Sequence, residues 1–146
     1  MRRRFVVLSL LTTAILAMGS VGLQGGKMVK PEPERYGWLV RHPVILRLLK
    51  YHNEERARWG LPPLRLDPEM CLAAQEHAAW MAETGYYMHS GLPWAEIIFT
   101  GPLSAREAVD GWIASPAHHS IMLSGTEAGF GYMVRDGQTY WVGVFR

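Results

Sequence analysis

Over residues 42–60, 67–85 and 104–123 the apolar positions recur every three or four residues, the spacing of helices with one buried face. Over 130–134 and 139–145 they crowd into short β-rich runs. The first helix is predicted from His42 and Pro43, with proline suited to the first turn. Val44, Ile45, Leu48, Leu49 and His52 share a face that Arg56 continues. Gly60 and the pair Pro62 and Pro63 stop it. The second helix has a clearer start: Asp67 caps it, Pro68 takes the first position, and Glu69 suits the positive end. Its buried stripe is Met70, Ala73, Ala74, His77, Ala78 and Met81, and Gly85 ends it. So many alanines on one face predict close approach of another layer.

Residues 85–103 carry no long period, apart from a short strand over Glu96 to Phe99. Ser104 and Glu107 form a capping-box pattern. The helix it opens buries Ala108, Val109, Trp112 and Ile113. Ser115 and Pro116 break that helix and cap another, which runs through Leu123. Asp136 and Gly137 between the last two β-rich runs are a hairpin signal. The order α, α, short β, α, β, β is neither alternating βαβ nor all-helical, so the class is α+β.

The first residues change the picture of where the chain works. Arg2, Arg3 and Arg4 precede a charge-free apolar run from Phe5 to Met18, and Ala17 and Gly19 offer a small-x-small cleavage pattern. Residues 1–19 therefore read as a signal peptide, with an uncleaved N-terminal anchor as the alternative. Either way the expected location is secreted or cell-envelope, and membrane contact follows only if the leader stays. Residues 20–37, with Gly25, Gly26, Pro31 and Pro33, read as a flexible linker, and 38–146 as one domain.

The formal net charge is +2, from 15 Lys and Arg against 13 Asp and Glu. Three of those arginines sit in the leader, so 12 remain against 13, a net of −1. No basic cluster is left to hold nucleic acid. One cysteine, Cys71, rules out an internal disulfide framework, and its apolar helical setting makes it a packed thiol.

Several residues stand out in order along the chain. They are Leu49, His52, Asn53, Arg56 and Ala57; His89 and Ser90; Glu96; Trp112, Ser115, Pro116 and His118; and Gly129, Phe130, Gly131 and Tyr132 ahead of Tyr140 and Trp141. This ordered set resembles the CAP superfamily of cysteine-rich secretory proteins, antigen 5 and pathogenesis-related class 1 proteins. It is most similar to the family's short, exported bacterial members, over about residues 45–145. The resemblance implies a three-layer α-β-α sandwich with a small antiparallel sheet. It also implies a central cleft faced by His89, as the His of a His-Ser pair, and by Glu96, as the Glu of a Gly-Glu-Asn motif. Ala95 and Ile97 stand where that motif has Gly and Asn. Ser115 stands where eukaryotic members carry a second cleft Glu, and their late His has no counterpart. His118 matches the His of the Ser-Pro-x-His pattern of bacterial members.

Two chemistries fit these residues. Two imidazoles and a carboxylate can bind zinc and leave a fourth position open, so His89, Glu96 and His118 are a candidate metal set. Alternatively they hydrogen-bond one another and pin the loop to the helix, and no cofactor is required. Adjacent helical residues lie about 100° apart, so of His118 and His119 only His118 is assigned to the cleft. Ser115 and Trp94 are added to the cleft. Tyr86, Tyr87 and Trp94 either line a groove or cap the core. His52, Asn53 and Arg56 are expected to form a buried polar network, and His77 is read as a satisfied core histidine.

Ser90 and Ser115 lie near candidate His and Glu, but no Gly-x-Ser-x-Gly elbow is present. The expectation is a secreted, non-enzymatic module that binds a small apolar, peptide or envelope ligand. The alternative is a metal-assisted hydrolase of an envelope polymer or peptide, against which the missing second Glu weighs.

Overall fold

The computed structural model describes residues 37–146, so the leader and nearly all of the linker lie outside the described residues. A 3₁₀ turn at Leu39–Arg41 leads into α1 (Pro43–Arg58). Then follow β1 (Arg65–Leu66), α2 (Pro68–Thr84), β2 (Ala95–Thr100), α3 (Ala105–Ile113), α4 (Pro116–Met122), β3 (Glu127–Arg135) and β4 (Gln138–Phe145). Neither the 3₁₀ turn nor the two-residue β1 is predicted by the sequence pattern, since each is too short to carry a period. Among the described residues no helix is long and apolar enough to cross a membrane.

The caps act largely as expected. Asp67 accepts the Met70 N–H at 2.9 Å, and Gly85 closes α2 in the left-handed region at φ 75°. Ser104 Oγ accepts the Glu107 N–H at 3.2 Å. The reciprocal half of the box is displaced by one residue: Glu107 accepts from the Leu103 N–H at 2.8 Å, not from Ser104. Ser115 occupies the cap position of α4, but its side chain makes no capping bond.

The strands lie in the order β1-β3-β4-β2. β4 runs antiparallel to both neighbours, but β1 pairs parallel with β3, so the sheet is mixed rather than purely antiparallel. Alternation splits the strands between two cores. Ile97, Phe130, Trp141 and Phe145 face Ile45, Leu48, Val109, Trp112 and Met122 of α1, α3 and α4. Ile98, Val142 and Val144 face Met70, Ala74, Ala78 and Met81 of α2. The result is the three-layer α-β-α sandwich. The alanines of α2 permit contact of backbone on backbone: a β-carbon on Gly129 would stand 2.1 Å from the Met70 carbonyl carbon. Cys71 is fully buried, and burial pushes its thiol up to about 11, as a packed thiol requires. Ala73, predicted to be buried, is only half-buried.

Candidate functional site

After α2 the chain doubles back over the sheet. His77 donates Nε2–H to the Met88 carbonyl at 2.8 Å, and Tyr87 donates its hydroxyl to the Ile98 carbonyl at 3.0 Å. These bonds lay residues 86–90 beside the end of α2. His77, Trp80, Met88, His89 and Ser90 enclose an open groove of about 320 Å³.

Glu96 organises the groove's polar end. It pairs in register with Val144, and only 7% of its side chain is exposed. One carboxylate oxygen accepts His89 Nδ1–H at 2.6 Å and the Ser90 N–H at 3.0 Å, and the other accepts the Ser90 hydroxyl. Ser90 Oγ in turn accepts the Leu92 N–H at 3.1 Å. The carboxylate therefore sits between the serine and the histidine. Nucleophile activation needs the opposite order, with an imidazole taking the serine proton and a carboxylate behind it. The His89 Nε2 edge is left facing outward on a side chain that is 60% exposed.

His118 is half-buried on α4 and makes no hydrogen bond among the described residues. Burial first, and then the neighbouring His89 charge, hold its pKa below the ordinary histidine value. The structure thus brings His89 and Glu96 into contact and sets His118 near His89, but the carboxylate does not hold both imidazoles. Nor do the three form a ready metal set. Among the described residues no three His, Cys, Asp or Glu side chains are grouped to hold a metal ion.

His119 turns away from His118. Its Nε2 donates to Glu55 at 3.0 Å, and Glu55 also accepts from Trp59 and Arg58, each at 2.9 Å. Burial acts to raise the Glu55 pKa, but the three hydrogen bonds outweigh it and hold the group below the ordinary carboxylate value. Trp94 lies half-buried against the α2 core and does not line the groove, and neither does Ser115.

The expected single polar network divides into separate devices. Asn53 brackets Leu64, donating to its carbonyl at 3.2 Å and accepting its N–H at 2.8 Å. Arg56 donates to the carbonyls of Pro62, Met122, Ser124 and Gly125 between 2.8 and 3.1 Å, tying two loops to α1. His52 joins neither. It donates Nδ1–H to Leu48 at 2.8 Å and packs among Trp112, Phe130 and Phe145, with Nε2 buried and unpartnered.

The model of the cysteine-rich secretory protein family matches residues 49–145, nearly the whole folded domain. The chain belongs to the CAP family. It is 30% identical over 95 residues to the human Golgi-associated plant pathogenesis-related protein 1, covering 58% of this chain and 59% of that one. The chain thus spans about three-fifths of that relative's length. Two solved structures share the CAP fold. An outer surface protein of Borrelia burgdorferi superposes with a TM-score of 0.61 at 20% identity, covering 67% of this chain and 87% of that chain. An extracellular SCP-domain protein of Bacillus anthracis gives 0.58 at 18% identity, covering 81% and 45%.

In this CAP domain the sequence reading reached His89 and Glu96 but assigned His77 to the core alone and passed over Trp80 and Met88. The signal was available. His77 and Trp80 sit three apart in the second half of α2, so they share a face, and both line the groove beside His89.

Proposed function

We propose that this CAP domain works outside the cytoplasm as a non-enzymatic binding module. Its ligand enters the groove bounded by His77, Trp80, Met88, His89 and Ser90. One observation carries the reading: the Glu96 carboxylate holds His89 and Ser90 together. A wall fixed before the ligand arrives loses little freedom on binding. The same hydrogen bonds leave Ser90 saturated rather than activated. The ligand meets an apolar floor from Trp80 and Met88 and a polar end at His89 Nε2. Such a site takes a small apolar or peptide-like molecule with one hydrogen-bonding group. The basic, apolar leader supports export, and the outer-surface and extracellular relatives are in keeping with it.

The test is incubation of the purified protein with native envelope and extracellular material, peptide libraries and ester substrates, with and without added zinc. A bound molecule recovered unchanged, by wild type but not by His89→Ala, supports the reading. Product formation that requires zinc and is lost in Glu96→Gln would replace it with metal-assisted hydrolysis.

A further inference from the structure

Helix α2 is the only described helix on its face of the sheet, so one side of it looks out to solvent. Glu69, Glu76 and Glu83 recur there every seven residues, and Trp80 lies on the same stripe. At 100° per residue these four fall within an arc of about 60°. All three glutamates are exposed. Glu69 feels the charge of Arg146, which also pairs with Asp67 and Glu127. Glu76 and Glu83 have no ion-pair or hydrogen-bond partner among the described residues, and α2 itself carries no Lys or Arg. The stripe runs directly into the groove. Trp80 is stacked on His77 at 5.6 Å and on Tyr86 at 6.2 Å, stays 38% exposed and borders the groove. Beyond it Tyr86, Tyr87 and Met88 are exposed at 66%, 50% and 54%, an apolar patch contiguous with the acidic one.

We propose that the partner is a cationic polypeptide segment, lying along α2 with Lys or Arg over Glu76 and Glu83 and one apolar side chain seated in the groove. The inference rests on the groove being a binding site, and it adds the class of molecule that enters it. Charge complementarity selects the partner: two unneutralised carboxylates attract cations and repel acidic chains. Exposed Tyr rings beside them add favourable faces for Lys or Arg. Spacing sets the register. Seven helical residues span about 10.5 Å, and one three-residue turn of a polyproline II chain covers about 9.3 Å with every third side chain on one face, so basic residues at every third position match the stripe.

The experiment uses an extended peptide with Lys at every third position and one central Leu, and a control peptide with Glu in place of Lys. Binding to the exported protein is followed by fluorescence anisotropy at low and high salt. The Lys peptide should bind, weaken in high salt, and lose about tenfold in affinity to Glu76→Lys with Glu83→Lys, whose melting temperature should equal that of the wild type. Equal binding of the Glu peptide, or no loss in the double variant, overturns the proposal. So does peptide-free dimerisation that the double variant abolishes, since the occupant is then a second copy. Recovery of the native groove molecule separates the two readings. If the wild type recovers that molecule but does not bind the Lys peptide, the cationic partner is wrong and the groove stands. If the Lys peptide binds as described while His89→Ala leaves that recovery unchanged, the acidic stripe stands and the groove reading falls.

Discussion

Gly131 lies so close beneath α2 that a β-carbon there would stand 2.3 Å from the carbonyl carbon of Ala74. The neighbour is backbone, so nothing can rotate aside. Gly131→Ala must lift α2 off β3 or bend the strand, and either opens the core that holds Ala74, Ala78 and Met81. The expected loss is about 3 kcal/mol, at the upper end for overpacking, read from urea unfolding. Near-wild-type stability would mean that the two layers are not in backbone contact.

Asn53 is the second test of the frame. Its amide satisfies both backbone groups of Leu64, which is itself buried. Asn53→Ala leaves those groups without partners and should cost roughly 1–3 kcal/mol. Ligand recovery per folded molecule should not change. An unchanged melting temperature with lost binding would move Asn53 into the site.

His52 makes the domain acid-sensitive. Burial lowers its pKa from 6.5 to about 4; the hydrogen bond to Leu48 opposes this, and the nearby Arg56 charge adds to it. The unfolded chain therefore takes up the proton more readily than the folded one. The stabilising contribution is fully present above about pH 6.5 and is lost as pH falls toward about 4, a change of about 3 kcal/mol. Chemical unfolding of wild type and His52→Phe across that window checks it. The variant should show a shallower decline, and identical slopes would contradict the assignment.

The leader remains a direct prediction of the sequence. Arg2, Arg3 and Arg4, the apolar run and the Ala17-x-Gly19 pattern predict cleavage after Gly19. Mass spectrometry of the native protein should find Ser20 at the N-terminus. An intact chain in the membrane fraction would favour the anchor.

Much of this architecture was legible because its signals are local. Asp67 and Pro68 at the start of α2, Gly85 at its end, and Asp136 and Gly137 in the hairpin each act through neighbouring backbone. β1 was not legible, since two residues carry no period and their partner, β3, lies some 60 residues away. The candidate site was legible by half. His89 and Glu96 lie in one short loop and strand and meet as expected. Whether His118 would share their carboxylate depended on how α4 packs, which no local rule fixes. His52, Asn53 and Arg56 sit together in sequence, yet helical geometry sends them to different partners: one into the aromatic core, two to the loops.

The claim on which the functional account turns is that Glu96 fixes the groove wall in its binding shape. The direct measurement is recovery of the native bound molecule by wild type and by Glu96→Gln, each first shown to be folded by circular dichroism. Glutamine keeps the volume but loses the charge-assisted bonds to His89 and Ser90, so affinity should fall about tenfold or more while the fold persists. Undiminished recovery by folded Glu96→Gln would contradict the account.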